Sequence, residues 1–218
     1  MITTRLKKLV IGKEKFSSVN YWEHRYATGG NSGAGSYGEQ AIAKADIINQ
    51  FVEKNSIESV IELGCGDGNQ LTLANYPQYI GLDVSRTAIT MCYSKFSTDT
   101  DKSFFYYEPQ FFHDNLGVFN ADLVLSLEVI FHIIEDDLYS LYLNHLVRMS
   151  KKYILVFGTN EDRSVHLDKT GAAQQHLKHR KFSEDILGLN KNIELMRVID
   201  NPYSRKRDSK FFVFQKKN

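Results

Sequence analysis

A short apolar run that ends in a glycine-rich turn is the feature of this chain that most limits its fold. Residues 60–68 read Val-Ile-Glu-Leu-Gly-Cys-Gly-Asp-Gly. Such a run predicts a buried parallel strand that passes into a loop where a ligand contacts bare backbone. Glycine at positions 64, 66 and 68 removes the Cβ atoms that would block a close approach or forbid a positive φ. The segment therefore predicts the first strand and binding turn of an α/β fold.

A second apolar run, Tyr79–Leu82, is closed by the acid Asp83. An acid about 20 residues after a glycine-rich turn lies where the second strand of a nucleotide-binding fold presents a carboxylate to ribose hydroxyls. The glycine pattern is G-x-G-x-G, whereas a dinucleotide fingerprint reads G-x-G-x-x-G. Glu62 and Asp67 beside the turn would repel a pyrophosphate and suit a cationic or zwitterionic ligand.

Strand and helix patterns alternate along the chain, which predicts a doubly wound α/β sheet. We expect strands over 58–63, 78–83, 103–107, 121–127 and 153–157, and helices over 39–54, 86–96 and 136–149. Ser85 is a predicted N-cap. After a short helix beginning near Ser183, runs 193–199 and 210–215 predict a hairpin that adds an antiparallel edge strand, with Arg205–Arg207 in its solvated turn.

Composition fits a globular protein of one domain. The 218 residues carry a formal net charge of +1, so no global field draws the chain to nucleic acid or membrane. Two cysteines give neither a disulfide framework nor metal-ligand spacing. Residues 1–15 lack the apolar centre of a signal peptide, and no run reaches membrane-spanning length. We expect a cytoplasmic protein without a bound metal.

The N-terminal segment combines bulky rings with a glycine-rich stretch. Residues 21–26 read Tyr-Trp-Glu-His-Arg-Tyr and predict a helical turn, and residues 29–38 have too little apolar content for regular structure. Together they predict a lid in which Tyr21, Trp22 and Arg25 contact a bound molecule, with Arg25 on a carboxylate. The alternative is a helix packed on the sheet beside a disordered linker. We accordingly divide the chain into a lid segment, 1–38, and a domain, 39–218.

Two polar clusters could carry chemistry. Glu128 and His132 follow the strand over 121–127, and a helical turn there would place both on one face, with His132 as general base and Glu128 orienting it. The alternative is a pocket wall with a packed neutral histidine. His176, His179 and Arg180 lie in a run with two further cations and could bind an anionic acceptor, for instance a phosphorylated sugar; the alternative is a solvated basic face.

The first two motifs closely resemble those of class I S-adenosylmethionine (SAM)-dependent methyltransferases. The resemblance implies their seven-stranded Rossmann-like sheet and the product S-adenosylhomocysteine (SAH). It places Glu62, Gly64, Cys65 and Gly66 at the methionine end of the cofactor, Asp83 at the ribose and Val84 beside the adenine. Ser126, Leu127 and Glu128 would form the far wall.

Three segments also resemble small bacterial methyltransferases linked to capsule and surface-glycan modification: residues 21–26 with their glycine-serine run, 128–132 and 176–182. The Asn/Asp-Pro-Pro-Phe/Tyr signature of amino methylation is absent after residue 127. The resemblance therefore implies O-methylation of a small anionic or carbohydrate-related acceptor. We expect no nucleic-acid partner, and the sequence does not indicate an oligomeric state. The alternatives are methylation of tRNA or protein, an NAD-dependent oxidoreductase, and a cofactor-binding module without catalysis.

Overall fold

The computed structural model describes residues 16–162, 174–203 and 209–217. Its seven strands are β1 (Ser59–Leu63), β2 (Gln78–Asp83), β3 (Lys102–Tyr106), β4 (Ala121–Leu127), β5 (Ser150–Gly158), β6 (Ile193–Ile199) and β7 (Lys210–Lys216). They form one sheet in the order β3-β2-β1-β4-β5-β7-β6. The strands from β3 to β5 pair in parallel, whereas β7 is antiparallel to both of its neighbours.

The α-helices of the described residues are α1 (Ser18–Ala27), α2 (Gly38–Lys54), α3 (Arg86–Lys95), α4 (Asp136–Met149) and α5 (Phe182–Leu189). Side chains of α2 and α3 pack on one face of the sheet and those of α4 and α5 on the other. Strand β4 is buried along its whole length, as its continuous apolar run predicts. The predicted doubly wound α/β fold is confirmed.

Local signals account for the element boundaries. Ser85 Oγ accepts a hydrogen bond from the Ala88 amide at 3.0 Å and so caps α3, as predicted. The apolar stripe of α2 is predicted correctly, although the same stripe also buries Lys44. None of the described helices combines the length and the hydropathy needed to cross a bilayer.

The C-terminal strands differ in one respect from the expectation. The antiparallel strand β7 lies inside the sheet, between β5 and β6, and the edge strand is β6. The burial of the two strands explains this order. Four consecutive residues of β7, Phe211–Phe214, are buried, whereas most of β6 is exposed and suits an edge. The predicted turn at 205–207 lies outside the described residues.

The glycine-rich stretch is more regular than its composition predicts. Ala34–Ser36 form a 3₁₀ turn, and Asn69 Nδ2 donates to the carbonyl oxygen of Ser36 at 2.7 Å. The side chain of Asn69, which follows the glycine-rich turn after β1, thus donates a hydrogen bond to a stretch that has few apolar side chains to bury. We call α1 with residues 28–37 the N-terminal cover. Residues 1–15 of the predicted lid segment lie outside the described residues.

Candidate active site

A cavity of about 510 Å³ lies at the carboxyl ends of the parallel strands, beneath the N-terminal cover. This is where open α/β sheets bind ligands, and the volume is within the range of small-molecule sites. The predicted residues that line the cavity are Tyr21, Trp22, Arg25, Glu62, Gly64, Cys65, Gly66, Asp83, Val84, Leu127, Glu128, His132, His176 and His179. Ser126 and Arg180 are not among its lining residues.

The glycines of the β1 turn are required by the protein's own packing. Gly64 and Gly66 have φ values of +90° and +58°. A Cβ on Gly64 would lie 2.4 Å from Val129 Cγ2, and one on Gly66 would lie 2.3 Å from Ser32 Oγ. The absence of a Cβ at these positions therefore lets Val129 and the N-terminal cover pack against the turn. Both glycines also line the cavity.

Asp83 ends β2 with its carboxylate held by backbone amides. Its Oδ2 accepts from the Gly66 amide at 2.9 Å, and its Oδ1 accepts from the Ser85 amide at 2.8 Å. Each oxygen keeps a second acceptor position, which suits a pair of hydroxyl donors in the cavity. Burial raises the pKa of Asp83 to about 6, against the effect of these two hydrogen bonds.

Glu62 is a second buried carboxylate of the cavity wall. Its Oε2 accepts from the Tyr79 hydroxyl at 2.7 Å. Burial raises the pKa of Glu62 to about 7, although the Tyr79 hydrogen bond and the charge of Lys44 oppose this. A cationic ligand in the cavity would favour the ionised forms of both Glu62 and Asp83. The pair fits a sulfonium compound that also carries a ribose diol.

Asp67 serves the cover and not the cavity, which corrects the expectation that it faces a ligand. Its Oδ2 accepts from the Ser32 amide at 2.9 Å and from the Tyr37 hydroxyl at 2.7 Å. The Asp67 amide in turn donates to Ser32 Oγ at 3.0 Å. Burial opposes ionisation of Asp67, but its hydrogen bonds prevail and lower its pKa. The glycine-rich stretch is therefore fastened to the binding turn.

Helix α1 is anchored at its N-terminus and near its middle. Ser18 Oγ donates to Glu135 Oε2 at 2.6 Å, just before α4. Glu23 accepts from Ser85 Oγ at 2.7 Å and from Thr87 Oγ1 at 2.6 Å, at the start of α3. These contacts hold the rings of α1 over the cavity, as the lid prediction requires.

Arg25 is the cation that α1 presents to the cavity. Its Nε donates to the Asn31 carbonyl oxygen at 2.7 Å, and its guanidinium carbon lies 5.4 Å from the centre of the Trp22 ring. The ion pairs of the described residues give Arg25 no carboxylate partner. A ligand carboxylate therefore suits this side chain.

Glu128 pairs with Lys44 and not with His132. Its φ of +61° takes the backbone out of helical geometry, and the 3₁₀ turn begins only at Ile130. Glu128 Oε2 lies 2.9 Å from Lys44 Nζ, which is almost fully buried on α2. A Cβ on Gly35 would lie 1.8 Å from the same oxygen, so the carboxylate also contacts the cover. The predicted helical turn that pairs Glu128 with His132 is wrong.

His132 lies in the cavity wall as a neutral imidazole. Its Nδ1 is 3.2 Å from the carbonyl oxygen of His176. Because a carbonyl can only accept, Nδ1 carries the proton and Nε2 is an acceptor. The described contacts give Nε2 no hydrogen-bond partner. Burial lowers the pKa of His132 to about 3, with a further contribution from the neighbouring charge of Arg25.

The basic cluster after β5 divides into two parts. His176 and His179 line the cavity, and His179 Nδ1 is hydrogen-bonded to Thr159 Oγ1. Arg180 instead binds the carbonyl oxygen of Ile133 at 2.8 Å and Asp136 at 2.7 Å. These contacts occupy the guanidinium at the start of α4, outside the cavity. The prediction that Arg180 binds an acceptor is therefore not supported by its position.

Ser126 supports the wall from behind. It is fully buried, and its Oγ lies 2.7 Å from the Tyr142 hydroxyl, which is also 2.9 Å from the carbonyl oxygen of Leu63. Tyr142, not Ser126, reaches the cavity, which corrects the predicted contact. The sequence alone indicates no site role for Tyr142 or for Lys44. The apolar stripe of α4 includes Tyr142, but the stripe alone does not predict a contact with the binding turn.

Several solved methyltransferases share this fold. NodS, an N-methyltransferase from Bradyrhizobium japonicum WM9 solved with SAH, superposes with a TM-score of 0.69 at 12% identity, over 92% of this chain and 99% of NodS. ChlM, the magnesium protoporphyrin IX methyltransferase of Synechocystis PCC 6803 with bound SAM, gives 0.65 at 13% identity, over 94% of this chain and 100% of ChlM. The methyltransferase domain of bacterial CtHen1-C gives 0.60 at 16% identity, over 81% and 98%.

No protein-family model and no curated protein matches the chain in sequence. At these identities the comparisons establish the fold alone, a seven-stranded α/β sheet that this chain shares with these methyltransferases. The two buried acids at the carboxyl ends of β1 and β2 lie in the cavity of this fold.

Proposed function

We propose that this protein is an enzyme that transfers a methyl group from SAM to a hydroxyl oxygen of a small acceptor. The observation that carries the proposal is the covered cavity with two buried acids, Glu62 and Asp83, at the ends of adjacent strands. SAM combines a sulfonium and an ammonium with a ribose diol, and these groups match the chemistry of the two carboxylates. The fold shared with NodS and ChlM, which were solved with SAH and SAM, supports the same ligand.

Four of the predicted cofactor contacts would bind distinct parts of SAM. Asp83 would accept hydrogen bonds from the ribose hydroxyls, and Glu62 would favour the cationic end. Arg25 would pair with the carboxylate of the methionine portion, and Val84 would flank the adenine. When bound, SAM supplies a methyl group activated by its positively charged sulfur. The cover would exclude water and orient the reacting groups.

His132 suits a hydroxyl acceptor better than an ammonium acceptor. Nε2 would accept the hydroxyl proton as the new oxygen–carbon bond forms. The protonated ether oxygen created in that step is a far stronger acid than an imidazolium ion, so a pKa of about 3 does not prevent His132 from taking the proton. An ammonium would have to lose its proton before reacting, and an imidazole whose pKa is lowered by burial is poorly suited to remove it. This contrast favours O-methylation.

The acceptor half of the cavity favours a small ring compound with at most modest negative charge. Arg180 and Lys178, which the sequence offers as anion ligands, both pair with Asp136. Rings, among them those of Trp22 and His176, form part of the remaining wall. A carbohydrate-related acceptor, such as a capsule or surface-glycan precursor, fits such a wall and the motif resemblance. The net charge of +1 supports a small molecule over a nucleic acid.

Thermal unfolding with SAH, SAM and NAD tests the cofactor. We expect SAH and SAM to raise the melting temperature and NAD to leave it unchanged, since a ligand at 100 times its Kd stabilises by about 2.7 kcal/mol. Asp83→Asn should reduce the shift with SAH. Asp122→Asn is the matched control, because Asp122 is also buried but lies at the amino end of β4, away from the cavity. A shift with NAD alone would instead support an oxidoreductase.

Transfer of radiolabelled methyl from SAM tests the acceptor class. Panels of sugars, sugar phosphates, phenols, amines and tRNA should give label only with hydroxyl-bearing small molecules. His132→Gln should slow turnover at least tenfold while leaving SAH affinity within about twofold. Labelling of tRNA or of an amine in place of the hydroxyl compounds would contradict the proposed acceptor.

A further inference from the structure

Three rings from separate parts of the chain stack in one column in the wall of the cavity. The rings of Tyr21 and His176 lie 4.9 Å apart between centroids, with 11° between their planes. The rings of His176 and His132 lie 5.6 Å apart, with 10° between their planes. Tyr21 belongs to α1, His132 follows β4, and His176 belongs to the segment before α5. The column therefore links the cover to the residue proposed as base.

His176 contacts His132 in two ways. Its ring lies parallel to the imidazole, and its carbonyl oxygen accepts from Nδ1 at 3.2 Å. The carbonyl selects the tautomer that leaves Nε2 as an acceptor. The Trp22 ring meets the His132 ring edge-on, with 4.9 Å between centroids and 81° between planes. This contact limits rotation of the imidazole from a third side. Together these contacts fix both the plane and the tautomer of the His132 ring.

We propose that His176 is a positioning residue, which holds His132 through its ring and its carbonyl oxygen, and that Tyr21 completes this column only when α1 covers the cavity. The inference rests on the proposed role of His132 as base and assigns His176 a role other than acceptor binding. Through the column, the position of α1 over the cavity determines the orientation of the His132 imidazole. A hydroxyl acceptor would then meet an aligned base only in the covered site, where water is excluded.

The charges around His132 act in the same direction. Arg25 of α1 and the histidines at 176 and 179 face the imidazole, and each disfavours its protonated form. The carbonyl hydrogen bond acts against them, and burial is the largest effect. Loss of a stacked ring would admit water, and the pKa of His132 would then rise from about 3 toward its ordinary value of 6.5.

Imidazole NMR on the full chain labelled with ¹⁵N-histidine tests the proposal without any acceptor. The His132 signal is identified by its loss in His132→Gln. We expect a single tautomer with the proton on Nδ1 and no titration above pH 5. His176→Ala and Tyr21→Ala should each give mixed tautomers and a higher pKa, because a ring contact of this kind shifts such populations about two- to tenfold. His176→Phe and Tyr21→Phe keep a ring and should preserve the wild-type tautomer.

The variants and a ligand titration separate the outcomes. Unchanged His132 signals in both Ala variants would overturn the positioning role. Equal loss of the tautomer in the Phe and Ala variants would also overturn it, because the ring would then not be the cause. Thermal melting of each variant confirms that it is folded. SAH added to the wild type reports on the cofactor separately: failure to bind SAH contradicts the proposed function, and the His132 tautomer is still observed.

Discussion

Glu62→Gln should stabilise the ligand-free protein at high pH and weaken its binding of SAM. The folded protein raises the pKa of Glu62 from 4.5 to about 7, mainly through burial. A carboxyl whose pKa is raised on folding contributes stability that is complete below pH 4.5 and is lost as the pH rises through about 7. At 1.36 kcal/mol per pKa unit the full loss is about 3 kcal/mol. Glutamine removes this titration but still accepts the Tyr79 hydrogen bond.

Urea unfolding at pH 5 and pH 8 measures the effect. The free energy of unfolding of Glu62→Gln relative to the wild type should increase by about 2 kcal/mol between these pH values, since part of the loss has occurred by pH 5. Glu53→Gln, on the exposed side of α2, is the control and should show no such change. In calorimetry the variant should lose more affinity for SAM than for SAH, whose sulfur is uncharged. A pH-independent difference would refute the reasoning.

Three further substitutions test the contacts around the site and the core. Lys44→Met removes the buried cation beside the Glu128 carboxylate and should lower the free energy of unfolding by about 3 kcal/mol in chemical denaturation; an unchanged value would contradict the importance of the pair. Gly35→Ala places a Cβ 1.8 Å from Glu128 Oε2 and should lower the melting temperature, whereas Gly188→Ala, with no neighbour within 4 Å of its Cβ, should not. Phe214→Ala in β7 should cost about 3–5 kcal/mol, and a loss below 1 kcal/mol would show that the core collapses around the deletion.

The sheet could be predicted because most of its strands carry strong local signals. The run over 121–127 is mostly apolar, and the turn after β1 carries three glycines. The order of the last two strands could not be predicted in the same way, because each run alone is compatible with an edge. The burial of Phe211–Phe214 against both neighbours decides the order, and that depends on pairing between distant segments.

The site was predictable where a residue is tied to a strand end and not where its partner is distant in sequence. Asp83 lies in the cavity because strand length and topology place it there. The pairing of Arg180 could not be predicted, because the sequence shows a cation but not its contact with Asp136, 44 residues away. Asp67 was assigned to a ligand for the same reason. Its partners, Ser32 and Tyr37, leave no periodic pattern in the sequence.

The anchoring of the N-terminal cover has a consequence for any shortened version of the chain. A fragment that begins at residue 39 would keep the whole sheet, yet Asp67 would lose the donors of Ser32 and Tyr37. The hydroxyls of Ser85 and Thr87 would likewise lose their carboxylate acceptor. Truncation would thus uncover polar groups that are shielded in the intact protein. The change in composition at residue 38 therefore marks the end of a loop and not of a removable segment. The rest of the molecule needs this loop to keep these polar groups hydrogen-bonded and out of water.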